Sequence, residues 1–92
     1  MKIIYSYDEK LLDLNETAND DDIEFNINSL GMDIKQQVYK IREIFNENKV
    51  LTDILVYAHT NQRYQIIVRK DFYNDFIIEL FRQQLVTEVK WA

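Results

Sequence analysis

His59 is the one histidine of the chain, and there is no cysteine. It is therefore the one side chain whose ordinary titration range suits general base or nitrogen metal-ligand chemistry near neutral pH. Such a base needs a carboxylate to orient it and a nucleophile to serve. The nearest acid on the same predicted strand is Asp53, and six extended residues put it about 20 Å away. His59 thus reads as an exposed residue at the shoulder of a hairpin. Asp20-Asp21-Asp22, with Asp13 and Glu16, offers a different chemistry: oxygen ligands for a hard cation such as calcium or magnesium. A calcium loop of the EF-hand kind interleaves its acids, turns on a glycine and closes on a distal Glu. Here the triplet runs straight into Ile23-Glu24 with no glycine. Neighbours on an extended chain also point to opposite sides, so three consecutive carboxylates do not converge. These acids read as a solvated acidic surface, and neither a metal nor any other cofactor is expected.

The single glycine and the missing cysteines close off further classes. Phosphate-cradling loops need several glycines. Disulfide scaffolds, thiolate zinc sites and cysteine nucleophiles need thiols. The net charge of −5 opposes direct nucleic-acid binding, which relies on cations against phosphates. That charge is unevenly placed. Residues 1–33 carry nine acids against Lys2 and Lys10, a balance of −7, whereas residues 34–92 carry seven acids against nine bases, a balance of +2. A −7 segment on a nearly neutral body can draw in a basic partner and raise its on-rate. No apolar run is long enough for a secretory signal or a membrane span, so a cytoplasmic protein without membrane contact is expected.

The elements that must carry these residues follow from periodicity. Residues 2–7 alternate as a strand rich in β-branched and aromatic types. Residues 8–21 read as an acidic loop, since Asn15, Asn19 and the Asp triplet compete with regular backbone pairing. Ile23, Phe25 and Ile27 alternate with Glu24, Asn26 and Asn28, the cleanest half-buried strand of the chain. Gly31 stands at the following strand-to-helix turn, where positive φ is often required. Asp33 supplies an N-cap with Gln36 three residues on, and Ile34, Val38, Ile41 and Phe45 share one face of the helix it opens, which Asn46 and Asn48 end. Residues 50–59 and 63–69 form a hairpin around Thr60-Asn61-Gln62. Asp71 caps a second helix with an apolar stripe of Phe72, Tyr73, Phe76, Ile77, Leu80 and Phe81, and residues 85–91 alternate as a last strand.

The chain thus reads as one domain, 1–92, of the α+β class. Residues 22–92 follow the ferredoxin-like βαββαβ order, with an extra N-terminal strand and two helices on one face of an antiparallel sheet. In that topology residues 23–28 are central, so the first strand is expected at a sheet edge, beside 85–91 or 51–58. Tyr64, Ile66 and Val68 are expected to face the helices, with Ile54, Val56 and Ala58. That leaves Leu55, Tyr57 and Ile67 as an apolar cluster on the open face, with Asp53 and His59 beside them. An RNA-recognition sheet is rejected because Arg63-Tyr64-Gln65-Ile66-Ile67-Val68-Arg69 lacks glycine and turns Tyr64 inward.

The expected function is that of a non-enzymatic protein-interaction module, of the acidic inhibitor or immunity type, docking on a basic protein partner. Its contact residues would be Leu55, Tyr57 and Ile67, with steering from Asp13, Glu16, Asp20, Asp21 and Asp22. A homodimer through the open sheet face is the expected assembly, unless the leucines of residues 8–14 cover that face. The alternative is a small-ligand regulatory domain acting as a dimer. Its element order is similar to that of ACT domains, with a strand-Gly-helix turn at Asn28-Ser29-Leu30-Gly31-Met32.

Overall fold

The computed structural model describes residues 2–46 and 54–92; the expected opening of the 50–59 strand, Asp53 included, and Asn48 after the first helix lie outside them. Among the described residues six strands and two helices are formed. β1 (Ile3–Ser6), β2 (Leu12–Ala18) and β3 (Asp22–Ser29) precede α1 (Lys35–Asn46). Then come β4 (Ile54–His59), β5 (Arg63–Arg69), a single 3-10 turn at Lys70–Phe72, α2 (Tyr73–Arg82) and β6 (Glu88–Trp91). The strands make two antiparallel sheets: four strands in the order β2-β3-β5-β4, and a ribbon of β1 with β6.

Three strands of the expected βαββαβ unit, β3, β5 and β4, stand in the order that unit requires, with β5 between the two strands that α1 connects. The place beside β3 goes to β2, where that unit would have its last strand. Residues 12–18, expected within an acidic loop, are a strand. They pair with β3 from Leu12–Ser29 to Ala18–Ile23, and Asn19 N–H donates to the Asp22 carbonyl at 2.8 Å across the Asp20-Asp21 turn. A hairpin closed over two residues forms at little loop-closure cost, whereas β6 must come from the far end of the chain. β6 therefore leaves the sheet and pairs with β1, from Ile3–Trp91 to Ser6–Glu88. That pairing is one of the two expected for the first strand. It builds a separate ribbon and not a fifth strand.

Alternation sorts the sheet's side chains cleanly. Leu12, Leu14, Phe25, Ile27, Ile54, Tyr64, Ile66 and Val68 are buried on one face. They pack with Ile34, Val38, Ile41 and Phe45 around α1 and with Phe76, Ile77 and Leu80 of α2. Ile3 joins this core from the ribbon, with Tyr5, Tyr7 and Val89 packed against it. Leu12 and Leu14 thus point to the helices and do not lie across the open face, while Leu11 is exposed.

Asp33, expected as the N-cap of α1, stands one residue before it: the first helical carbonyl is that of Ile34, which accepts from Val38 N–H at 3.0 Å, while Asp33 Oδ1 accepts from Lys35 N–H at 3.0 Å. Asp71 does not cap α2. It lies inside the 3-10 turn, and Phe72 holds the cap position with no side-chain bond. Gly31 is not in the left-handed region. The described residues there are Asn61, Gln62 and Gln84, and a Cβ on Gly31 would meet nothing within 4 Å. Ser29 shapes that connection instead: its Oγ accepts from Met32 N–H at 3.1 Å and donates to the Met32 carbonyl. At the end of α2, Gln84 N–H donates to the Phe81 carbonyl at 3.0 Å and Leu85 N–H to the Leu80 carbonyl at 2.9 Å. This is a Schellman close with Gln84 where glycine is usual. It turns Leu85 and Val86 into the core, so the alternating run begun at Leu85 becomes a strand only at Glu88.

Candidate functional site

The face of the four-stranded sheet turned away from the helices is built by the strand pairing. One row crosses it as Leu55, Ile67, Glu24 and Thr17, the next as Tyr57, Gln65, Asn26 and Asn15, and a third as His59, Arg63, Asn28 and Asp13. Leu55 is 44% exposed and Tyr57 47%, and Ile67 between the strands is half-buried. The expected apolar cluster is therefore present, at the β4–β5 side of the face. Ile54 is buried on the opposite side as expected and Val56 half so, while Ala58, near the strand end, is exposed.

The rest of this face is polar and tied together. Glu24 Oε1 accepts from Gln65 Nε2 at 2.9 Å, and its Oε2 accepts from Asn26 Nδ2 at 3.0 Å. The donation from Asn26, and then that from Gln65, hold the Glu24 carboxyl below its ordinary value. With its amide nitrogen committed to Glu24, Gln65 leaves Oε1 to accept from His59 Nε2 at 3.4 Å. His59 is thus set against an amide oxygen. A carboxylate flanked by two amide donors keeps its charge, and this one stands in the same row as Ile67 and Leu55.

The five acids expected to steer a partner do not form one patch. Asp22 opens β3 opposite Arg69 and shares the alternation of Glu24, so it reaches the open face beyond the Ile67 row. Asp20 and Asp21 form the exposed β2–β3 turn at that same end. Their main chain is held there, Lys70 Nζ donating to the Asp20 carbonyl at 2.8 Å and Lys70 N–H to the Asp21 carbonyl at 3.1 Å. Asp13 is on the open face but at the far end of the edge strand, opposite Asn28. Glu16 faces the other way. Its Oε2 accepts from the Tyr73 hydroxyl at 2.9 Å and from the Tyr5 hydroxyl, bridging the ribbon, the edge strand and α2. Burial first, then Glu16 itself, pushes both phenols above their ordinary range, so they are donors and not bases. No group of three or more His, Asp or Glu among the described residues is arranged to hold a metal ion.

Sequence reasoning overlooked three groups. Tyr7 hydroxyl donates to the Leu14 carbonyl at 3.1 Å and accepts from Leu14 N–H at 3.4 Å, occupying the outer edge of β2. Gln62, in the left-handed region, accepts from Ser29 N–H through its carbonyl at 3.0 Å and from Ile34 N–H through Oε1 at 3.2 Å. It thereby links the β4–β5 turn to the start of α1. Glu79 is 5% exposed. Its signal was visible, since Phe72, Phe76 and Glu79 follow the i, i+4, i+7 spacing of a buried stripe.

The chain matches no protein-family model, and neither a curated protein nor a solved structure matches it. No described helix is long and apolar enough to cross a membrane.

Proposed function

We propose that the protein is a non-enzymatic interaction module whose open sheet face docks a basic protein partner. The observation that supports this reading is the uncovered apolar step of Leu55, Tyr57 and Ile67, flanked on its own face by Glu24 and Asp22 and at its end by Asp20 and Asp21. Exposed apolar side chains of this size gain about 25 cal/mol for each Å² removed from water. Charges at the rim change how fast and with which partner contact is made more than how tightly it holds. The ordered Glu24 carboxylate, its oxygens already oriented by Gln65 and Asn26, loses little freedom when it accepts a lysine or arginine. The acids that carry the steering are Asp20, Asp21, Asp22 and Glu24; Asp13 is remote from the apolar step, and Glu16 serves the ribbon.

The test is affinity capture at low salt by wild type, by a Leu55→Asp/Ile67→Asp variant, and by an Asp20→Asn/Asp21→Asn/Asp22→Asn variant. A partner kept by wild type, lost by the first variant and associating more slowly with the second is expected. Equal retention of that partner by all three removes the face from the account. Light scattering of the protein alone distinguishes a second copy as the occupant: a basic partner leaves the free chain at its monomer mass of 11.2 kDa.

A further inference from the structure

On the helix side, away from the open face, a cavity of about 350 Å³ lies between α1 and α2, within the range of small-ligand pockets. Its walls include Ile44 and Phe45 from α1, Phe72 from the 3-10 turn and Ile78 from α2, with Asp75, Glu79 and Arg82 as its charged members. Glu79 is the one buried charged residue among the described residues. One carboxylate oxygen, Oε1, accepts from Arg82 Nη1 at 2.8 Å. The other, Oε2, is out of contact with solvent and has no donor. A buried carboxylate oxygen without a donor is costly, because neither water nor protein replaces the hydrogen bonds it had in the unfolded chain.

The charges are also unbalanced. Asp75 and Glu79 stand four residues apart on one side of α2, a repulsive spacing for like charges. Among the described residues that line the cavity, Arg82 is the single cation against these two acids, and its side chain is 68% exposed. Among the described lining residues two carboxylates thus face one guanidinium, Glu79 Oε2 has no donor, and the rest of the wall is aliphatic and aromatic. A hydrated metal ion suits neither the apolar wall nor the neighbouring guanidinium. A primary ammonium on an aliphatic stem suits both: its stem lies along Ile44, Ile78 and the phenyl rings, and its N–H groups meet the carboxylates. The terminal torsion of a glutamate is broad, so the Glu79 carboxylate can turn to offer Oε2 to a ligand without moving the helix.

We infer that the cleft between α1 and α2 is a binding site for an aliphatic ammonium group, with Glu79 as its primary acceptor and Asp75 as its rim charge. The group could belong to a free alkylamine or to a lysine side chain of another polypeptide.

The probe is n-hexylammonium chloride, titrated into the full chain and followed by methyl and amide NMR, with n-hexanol as the uncharged control. Saturable shifts at Ile44, Phe45, Phe72 and Ile78 are expected with the ammonium and not with the alcohol. Binding should weaken about tenfold or more in Glu79→Gln, which removes a buried charged acceptor. It should weaken about twofold in Asp75→Asn, whose exposed position makes it safe for folding. Nα-acetyl-lysine N-methylamide forms the second arm: tighter binding than hexylammonium assigns the site to a polypeptide lysine, weaker binding to a free amine. Absence of saturable shifts, equal binding of hexanol, or unchanged affinity in both variants overturns the proposal. None of these results depends on the open sheet face, so the two sites fail or stand separately.

Discussion

The two faces of the β2-β3-β5-β4 sheet share one backbone and differ in almost every other respect. On the helix side, Phe25, Ile27, Ile66 and Val68 have no exposed surface, and Phe25 packs its ring against Phe76 and Tyr73 with centroids 4.6 and 5.8 Å apart. On the other side, residues one position along the same strands form hydrogen-bonded amides and carboxylates around an apolar step that nothing in the described chain covers. The first face holds the fold together. The second contributes little to that. One period-two pattern therefore yields two unlike faces, and substitutions on adjacent residues should separate them.

The largest separation is expected between Phe25→Ala and Asn26→Ala. Emptying a fully buried aromatic site costs about 3–5 kcal/mol; losing one surface amide costs under about 1 kcal/mol. Urea unfolding of the two variants checks this, and similar midpoints would erase the distinction between the faces.

Next comes the strap that joins the ribbon to the buried side. Tyr5→Phe removes the hydroxyl donated to Glu16 and should lower stability by about 1 kcal/mol. Hydrogen exchange should rise at β1 amides while β3 and β5 stay protected. The same bond has a pH signature. Both phenols are raised in the folded state, so their contribution is intact below the ordinary tyrosine value of 10.0 and is lost as pH climbs through the folded values. Alkaline unfolding should therefore be blunted in a Tyr5→Phe/Tyr73→Phe variant.

A smaller gain is expected at Gln84. Replacing it with glycine relieves a left-handed residue and should add roughly 0.5–1 kcal/mol, read as a higher urea midpoint.

The smallest effect belongs to the open face itself. The Glu24 carboxyl should titrate below 4.5 by carbon NMR, and Gln65→Ala should move it back up. Its folded value is depressed, so whatever stability it contributes is present above 4.5 and lost as pH falls through the folded value. A Glu24 midpoint at the ordinary value would mean the amides are not oriented around it.

The same comparison explains what the sequence could carry. Ile23, Phe25 and Ile27 against Glu24, Asn26 and Asn28 announced a two-faced strand, and Ile34, Val38, Ile41 and Phe45 a helix, because burial acts directly on periodicity. The apolar step of Leu55, Tyr57 and Ile67 was legible for the same reason. Residues 12–18 were not, since Asp13, Asn15 and Glu16 are poor strand formers whose pairing is imposed by β3; the spacing of Leu12 and Leu14 was the only local trace. The place of β6 was hidden too, because β2 and β6 compete for one sheet edge and periodicity does not rank them. Gly31 misled: among the described residues left-handed backbone falls on Asn61, Gln62 and Gln84, the last two tied by hydrogen bonds to Ser29, Ile34 and Phe81.

Methyl NMR of the protein bound to its captured partner tests whether the open sheet face is the contact surface. The methyl signals of Leu55 and Ile67 should shift or broaden on binding, while those of Ile77 and Leu80 on the buried side of α2 stay fixed. Changes confined to the helix side, with Leu55 and Ile67 unmoved, would contradict it.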